Sequence, residues 1–218
     1  MNKKGFIFDL DGVVVDTAKY HFLAWRKLAE SVGISFSEDQ NEQLKGVSRV
    51  RSLEKILAWG DVELSEDQFM ELMARKNDDY LAYISNMNES EILPDVPRIL
   101  SFLKSLEQGV SLGSASKNAR AILKEVGLLN AFEVIVDGTN VSKAKPNPEV
   151  FLNAAEQMKM DPKHCIVFED AVAGVQAANA AGMLSIGIGR ADILHEADYV
   201  FKDFTEISDA FITQIINE

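Results

Sequence analysis

The chain has 218 residues, of which 47% are hydrophobic, and its formal net charge is -12. The acidic balance and the lack of any run rich in lysine or arginine argue against nucleic acid as a partner. No apolar run approaches the ~18 residues that a membrane span needs, and the first run is broken at Asp9, too early for a signal peptide. A single cysteine, Cys165, allows no internal disulfide. We therefore expect a cytoplasmic protein without membrane contacts. A monomer is the expected oligomeric state, although the composition does not report it.

The first predicted element is a short strand over residues 5–8, followed by a long stretch with a purely helical pattern. Within that stretch, Ser37-x-x-Gln40 and Ser65-x-x-Gln68 are typical of capping boxes at helix starts. Four helices are predicted there, over residues 17–32, 38–44, 51–58 and 66–84. A block of helices inserted after the first strand predicts a helical cap domain, residues 16–87, over the mouth of a sheet.

The rest of the chain alternates strands with helices. Short apolar runs predict four more strands, over residues 110–113, 134–136, 165–168 and 184–188. Helical patterns lie at residues 97–106, 118–126, 149–158 and 171–181. This alternation predicts a doubly wound parallel α/β sheet, and in the strand order 3-2-1-4-5 the first and fourth strands are neighbours. The predicted core domain comprises residues 1–15 and 88–218.

Acidic residues follow the first and the fourth predicted strands. Asp9 and Asp11 come after the first strand, and Glu169 and Asp170 come after the fourth. Because neighbouring parallel strands end at the same edge of a sheet, we expect these four acids to converge. Four carboxylates cannot share a small volume without a cation, and oxygen ligands of this kind suit Mg²⁺. Each pair alone is also compatible with an acidic turn that caps a helix, but their coincidence favours a metal site.

Two further segments at strand ends carry groups that bind anions. Ser114-Ala115-Ser116-Lys117-Asn118 follows the second strand and opens a helix, where hydroxyls and free backbone N–H groups form an anion site. The same residues are also compatible with a simple helix cap. After the third strand, either Lys143 or Lys145 offers a compact cation to a phosphate.

These motifs resemble, in order and spacing, the four motifs of the haloacid dehalogenase superfamily: Asp9-Leu10-Asp11-Gly12, Ser114, Lys145-Pro146 and Glu169-Asp170. The resemblance covers the whole chain, including the helices after the first strand. Residues 114–118 and three cap segments (residues 17–22, 44–49 and 75–78) are similar to hexose-phosphate mutases of that superfamily. The resemblance implies a Mg²⁺-dependent enzyme that interconverts β-glucose 1-phosphate and glucose 6-phosphate, with small-molecule hexose phosphates as its partners.

The resemblance also implies residue roles. Asp9 would be the nucleophile that becomes an aspartyl phosphate, and Asp11 would be the general acid and base. Mg²⁺ would be held by Asp9, the backbone carbonyl of Asp11, Glu169 and Asp170. The transferring phosphate would be bound by Ser114, Ala115 and Lys145. Of the two lysines, Lys145 is favoured over Lys143 because it directly precedes Pro146. The other phosphate would be bound by Arg49, Ser116, Lys117 and Asn118. The cap side would be lined by Thr17, His21, Trp25, Gly46, Val47, Ser48, Ser52 and Lys76.

Simpler interpretations of the cap residues stay open at this level. Arg49 and Lys76 are each also typical of solvated surface cations. His21 is equally compatible with a packed or surface position, and Trp25 with a core stripe.

Two other functions also stay open. A phosphatase of the same superfamily would use the same core motifs and release the phosphate to water. A protein that only binds phosphosugars is the second alternative, although the intact Asp9 and acidic pair argue against it.

Overall fold

The computed structural model describes residues 3–45 and 47–218. It contains six strands: β1 (Gly5–Phe8), β2 (Gly109–Gly113), β3 (Val134–Val136), β4 (Cys165–Glu169), β5 (Leu184–Ile188) and β6 (Tyr199–Phe201). All neighbours in the sheet are parallel, and the strand order is β3-β2-β1-β4-β5-β6. The order of the first five strands confirms the predicted doubly wound core.

The central strand β1 is buried on both faces, as its apolar sequence predicts. Phe6 and Phe8 contribute to one apolar cluster and Ile7 to another, because successive side chains of a strand point to opposite faces. In the sheet, Phe8 lies opposite Leu112 of β2 and Phe168 of β4. The carboxyl ends of these three strands therefore lie at the same edge of the sheet.

The first four α-helices after β1 we call the cap helices: α1 (Ala18–Ser31), α2 (Glu38–Glu42), α3 (Arg49–Trp59) and α4 (Glu66–Ile84). Both predicted capping boxes are present, at Ser37 and Ser65. The cap helices share an apolar cluster of their own, which includes Leu28, Leu53 and Ile56. The division of the chain into a cap domain and a core domain stays a prediction.

The two chain segments that join the cap helices to the core run side by side. Val15 and Ile92 form an antiparallel bridge. The Asp16 N–H donates to the Glu91 carbonyl at 2.9 Å, and the Leu93 N–H donates to a carbonyl of the first segment at 3.0 Å. We call these segments, residues 14–16 and 91–93, the connecting segments.

Five further helices cover the sheet: α5 (Val96–Ser105), α6 (Ala119–Glu125), α7 (Glu149–Gln157), α8 (Val172–Ala180) and α9 (Asp209–Asn217). α5, α6 and α9 bury Ile99, Ile122 and Ile215 on the face that carries Phe8. α7 and α8 pack on the opposite face with Ile7. Helices on both faces give a buried parallel sheet its apolar cover.

Among the strands and α-helices of the described residues, β6 and α9 had not been predicted from the sequence. β6 has three half-buried residues at the edge of the sheet, so its apolar run is too short to stand out. The boundaries of the other elements differ from the predicted ones by up to two residues. α3 starts at Arg49 rather than at residue 51, because Ser48 is its N-cap.

Among the residues that the structure describes, no helix has the length and apolar character that crossing a membrane requires.

Candidate active site

The carboxyl ends of β1 and β4 bring three acidic side chains together. Phe8 and Phe168 are partners in the sheet, and the next N–H along β1, that of Asp9, donates to the Phe168 carbonyl at 3.0 Å. Carboxylate oxygens of Asp9, Glu169 and Asp170 all lie within 4.8 Å of one another. We call these three residues the acidic cluster.

Lys145 lies between two members of the acidic cluster. Its Nζ is 2.5 Å from Asp9 Oδ1 and 2.5 Å from Glu169 Oε1, and its side chain is 1% exposed. Lys143, the alternative that the sequence left open, is exposed, and its backbone N–H donates to Glu149. Of the two lysines, Lys145 is therefore the one beside Asp9.

Two glycines leave space for the carboxylates of Glu169 and Asp170. A Cβ on Gly174 would collide with the Glu169 carboxylate, which accepts the Ala171 N–H at 2.9 Å at the start of α8. Gly12 has a φ of +81°, a left-handed conformation that glycine adopts without strain. A Cβ on Gly12 would collide with the Asp170 carboxylate. The glycine after the two aspartates thus allows the turn and also leaves space for the carboxylate that follows β4.

The acidic cluster carries more negative charge than Lys145 neutralises. Burial raises the pKa of Asp9 to about 7, and the charge of Glu169 adds to this rise while Lys145 opposes it. Burial and the charges of Glu169 and Asp9 raise the pKa of Asp170 well above its ordinary value. Burial would lower the pKa of Lys145, but its two acidic partners outweigh burial and raise it. A bound cation would relieve this repulsion, and buried carboxylate oxygens fit a hard divalent ion.

The Asp11 carboxylate contacts the start of the cap helices instead. The Thr17 hydroxyl donates to Asp11 Oδ1, and His21 Nε2 lies 3.7 Å from the same oxygen. Burial would raise the pKa of Asp11, but the contacts with His21 and Thr17 outweigh burial and lower it. These contacts favour the ionised form of Asp11, the form that accepts a proton. That the backbone carbonyl of Asp11 ligates a metal stays a prediction.

Two cationic residues of the cap helices, Lys76 and Arg49, lie near His21, which contacts Asp11. Lys76 is 2% exposed, and its Nζ lies 3.2 Å from His21 Nδ1. Burial and the charge of Arg49 lower the pKa of Lys76 to about 7. Burial also lowers the pKa of Arg49, and burial and the charge of Lys76 lower the pKa of His21. A buried lysine whose pKa is lowered by a neighbouring arginine indicates a place where an anion would be bound.

Replacing Lys76 with methionine should stabilise the ligand-free protein. The pKa of Lys76 is about 7 in the folded protein, against an ordinary value of 10.5, so the unfolded chain binds this proton more tightly. The resulting cost to stability is complete below pH 7, shrinks as the pH rises and is gone above 10.5. We expect Lys76→Met to raise the free energy of unfolding by on the order of a few kcal/mol below pH 7. Urea unfolding below pH 7 and near pH 10.5 measures the gain and its decline.

The matched control for this prediction is Lys27→Met. Lys27 also belongs to the cap helices, but it is 57% exposed and paired with Asp79. An exposed ion pair contributes little to stability, so this change should have a small effect at both pH values. If Lys76→Met gave the same gain at both pH values, or a loss below pH 7, the buried charge would not be the cause.

The segment after β2 carries the predicted anion-binding groups. Ser114 is fully buried, and its Oγ accepts the Ser116 N–H at 3.0 Å. Ser116 Oγ accepts the Asn118 N–H at 3.2 Å. The Asn118 side-chain amide donates to Asn77 Oδ1 of α4 at 3.0 Å, so this segment also contacts the cap helices. Lys117 is exposed.

The other predicted residues have varied surroundings. Trp25 is buried in the apolar cluster of the cap helices, and its ring centroid lies 4.5 Å from Lys76 Nζ. Trp25 is therefore a core residue that also contacts a predicted site residue. Ser52 is buried, and Val47, Ser48 and Ala115 are half-buried. Gly46 lies outside the described residues.

Three residues that the sequence interpretation had not assigned contact the site. They are Asn77; Lys45, whose Nζ lies 4.0 Å from Asp170 Oδ2; and Tyr80, whose ring centroid lies 4.3 Å from that of His21. The first two lie within segments on which the family resemblance rests. Tyr80 lies four residues after a predicted site lysine, and residues at that spacing share one face of a helix.

Comparison with known proteins decides the family. The family model described as "haloacid dehalogenase-like hydrolase" matches residues 3–182. The chain belongs to this family.

The similar proteins include both mutases and phosphatases. A β-phosphoglucomutase of Bacillus subtilis (strain 168) is 42% identical over 207 residues, which cover 94% of this chain and 92% of that protein. A fructose-1-phosphate phosphatase of Escherichia coli (strain K12) is 32% identical over 184 residues, or 84% of this chain and 95% of that protein. The crystal structure of a β-phosphoglucomutase from Clostridium difficile has a TM-score of 0.94 and 39% identity, and covers 99% of this chain and 97% of that one. The predicted superfamily and the predicted likeness to hexose-phosphate mutases are confirmed.

Proposed function

We propose that the chain acts as a β-phosphoglucomutase, which interconverts β-D-glucose 1-phosphate and glucose 6-phosphate. The observation that carries this proposal is that the two aspartates after β1 contact different parts of the protein. Asp9 contacts Lys145 in the core, whereas Asp11 contacts Thr17 and His21 at the cap helices. One aspartate thus lies beside a cation that can stabilise a phosphoryl group, and the other beside groups that keep it ionised and able to accept a proton.

In the proposed cycle, Asp9 carries a phosphoryl group as an aspartyl phosphate. β-Glucose 1-phosphate takes this group on its 6-oxygen and becomes the 1,6-bisphosphate, while Asp11 accepts the proton of the 6-hydroxyl. The bisphosphate turns around and returns its 1-phosphoryl group to Asp9, while Asp11 gives the proton to the 1-oxygen. Glucose 6-phosphate leaves, and both aspartates are again in their starting states.

The groups around Asp9 suit phosphoryl transfer, which needs charge neutralisation and in-line alignment more than covalent help. The Lys145 ammonium, 2.5 Å from the nucleophilic carboxylate, would contact the oxygens of the transferring group. The Ser114 hydroxyl and the backbone of Ala115 would hold the same group from the β2 side.

The acidic cluster would hold the metal ion. Asp9, Glu169, Asp170 and the backbone carbonyl of Asp11 are the proposed ligands, and Mg²⁺ is the proposed ion because all four offer oxygen. When bound, Mg²⁺ neutralises charge on the transferring phosphoryl group. Glu169 also holds Lys145 in place, since its Oε1 lies 2.5 Å from the Lys145 Nζ.

The second phosphate of the bisphosphate would be bound between the cap helices and the core. Arg49 is half-buried and Lys76 is buried, and the charge of Arg49 helps lower the pKa of Lys76. A dianion between them would relieve their mutual repulsion. From the core, Ser116, Lys117 and Asn118 would contact the same phosphate.

The cap helices would belong to a cap domain, residues 16–87, that keeps water from the aspartyl phosphate and retains the bisphosphate while it turns. Its remaining proposed contacts with the sugar are Thr17, His21, Trp25, Gly46, Val47, Ser48 and Ser52. That the enzyme acts as a cytoplasmic monomer also stays a prediction.

A product assay tests the proposed function. The protein is incubated with Mg²⁺, β-glucose 1-phosphate and a trace of the 1,6-bisphosphate, and glucose 6-phosphate and free phosphate are measured together. We expect glucose 6-phosphate to form much faster than free phosphate. Removal of divalent ions with a chelator should stop the reaction, and added Mg²⁺ should restore it. Free phosphate without glucose 6-phosphate would favour the phosphatase, and full turnover in the chelated sample would refute the proposed metal site.

Arg49→Ala should separate the mutase from the phosphatase. A mutase must bind the second phosphate, and losing one charge-assisted hydrogen bond to it should lower isomerisation about tenfold to a hundredfold. The rate at which water hydrolyses the aspartyl phosphate should stay close to that of the wild type, because this step involves one phosphate only. Both rates can be followed in the same product assay.

The matched control is Arg51→Ala, two positions along α3. Arg51 is 75% exposed and paired with Glu54 of the same helix, so its removal should leave both rates unchanged. If Arg49→Ala behaved like Arg51→Ala, Arg49 would be the surface cation of the simpler interpretation.

A further inference from the structure

Tyr80 lies on α4, one turn after Lys76, and its side chain has no role in the proposed cycle. The residue is 1% exposed. Its ring centroid lies 4.5 Å from the Lys76 Nζ, and the ring centroid of Trp25 lies 4.5 Å from the same nitrogen. The Lys76 ammonium therefore sits against two aromatic faces, where the negative electrostatic potential of the ring faces attracts it.

The ring of Tyr80 also contacts His21. The two ring centroids are 4.3 Å apart with an angle of 37° between the planes. His21 Nδ1 in turn lies 3.2 Å from Lys76 Nζ, and His21 Nε2 lies 3.7 Å from Asp11 Oδ1. One ring face thus contacts both side chains that lie between α4 and Asp11.

Lys76 depends on these contacts for its position. At 2% exposure it is almost removed from water, and a long flexible side chain in such a place adopts one conformation only if its neighbours restrict it. The rings of Trp25 and Tyr80 are the aromatic faces near the ammonium. Removing one ring would leave space for Lys76 to move away from His21.

The hydroxyl of Tyr80 makes a different contribution from the ring. It is buried near the Thr17 side chain, and it makes no hydrogen bond of good geometry among residues 3–45 and 47–218. A buried hydroxyl without a partner lowers stability. The ring and the hydroxyl can therefore be tested separately, since phenylalanine keeps the first and removes the second.

We propose that Tyr80 is a positioning residue of the acid–base side of the site, whose ring face fixes Lys76 beside His21 and His21 beside Asp11. The inference rests on the proposed function, because it concerns the proton transfer that Asp11 performs there. Tyr80 itself need not touch the substrate.

The test compares Tyr80→Phe with Tyr80→Leu. In Tyr80→Leu we expect kcat/KM for β-glucose 1-phosphate to fall about tenfold or more, because the side chains that serve Asp11 lose their support. In Tyr80→Phe it should stay within about twofold of the wild type, and the protein should melt at a higher temperature because the unpaired hydroxyl is gone. Tyr80→Met, which also lacks a ring, repeats the test if Tyr80→Leu does not fold.

A second measurement separates positioning from general damage to the fold. Acetyl phosphate can phosphorylate Asp9 without an acid, because acetate leaves as a stable anion. The rate of this step should stay within about twofold of the wild type in every Tyr80 variant, since it does not use the acid–base side. Ile84→Ala is the matched control: Ile84 is 2% exposed one turn further along α4, and its loss should leave kcat/KM unchanged.

Three results would overturn the inference: wild-type kcat/KM in Tyr80→Leu, an equal loss in Tyr80→Phe, or an equal loss in the acetyl phosphate reaction. If the wild type made no glucose 6-phosphate, the proposed function would fail instead. The same comparison would then be made on the hydrolysis of a hexose phosphate, whose leaving oxygen also needs a proton from Asp11.

Discussion

Asparagine in place of Asp9 should abolish turnover. The carboxamide has nearly the same shape as the carboxylate, but it is a poor nucleophile and forms no stable phosphoryl adduct. Loss of a covalent nucleophile costs about 10⁴-fold or more in rate. Mass spectrometry after incubation with acetyl phosphate should show one added phosphoryl group on the wild type and none on Asp9→Asn.

Asp161→Asn is the matched control for this change. Asp161 precedes β4 at the opposite edge of the sheet, and its side chain is 50% exposed, so both the adduct and the turnover should be as in the wild type. The Asp9→Asn result also tests the alternative of a protein that only binds phosphosugars. Such a protein would show neither adduct nor turnover before the change, and its affinity for hexose phosphates would be the same after it.

Asparagine in place of Asp11 should slow the isomerisation but not the phosphorylation of Asp9 by acetyl phosphate. Removing a general acid and base typically costs about 10²- to 10⁴-fold, and we expect a loss of this size in the isomerisation of β-glucose 1-phosphate. Phosphorylation of Asp9 by acetyl phosphate should change far less, because acetate leaves without a proton. The first rate is measured by product formation and the second by the appearance of the adduct.

The contrast between the two rates is the critical result for Asp11. Equal losses in both would mean that Asp11 supports the aspartyl phosphate itself, for example by shaping the turn at Gly12. Asp16→Asn is the control. Asp16 is exposed, and its hydrogen bond to the Glu91 carbonyl is made by its backbone N–H, which the change keeps. It should leave both rates unchanged.

The core of the candidate site could be predicted from the sequence because each of its parts follows a strand. An apolar run that ends in acidic residues predicts a strand and also marks where that strand ends. Two such runs on neighbouring strands bring Asp9 and Glu169 together. The role of Lys145 was harder to predict, because Lys143 lies two positions earlier in the sequence. The conformation of the loop after β3, in which the Lys143 N–H donates to Glu149, decides between them.

The cap side could not be predicted in the same way. The contacts among Trp25, Lys76 and Tyr80 depend on how α1 and α4 pack, and helical periodicity alone does not give the rotation of one helix against another. A charged residue in a polar stretch, such as Lys76, is usually exposed, and here only the packing of two helices shows that it is buried. The edge strand β6 was missed for a related reason, since three half-buried residues carry little periodic signal.

The paired connecting segments have a consequence for how the cap helices would open. Two extended segments joined by the Val15–Ile92 bridge would resist sliding but allow twisting, so together they would define a single hinge axis. Contacts near that axis, such as Thr17 with Asp11, should persist throughout the swing. Contacts farther along the chain from it, Asn77 with Asn118 and Lys45 with Asp170, should separate first and re-form last.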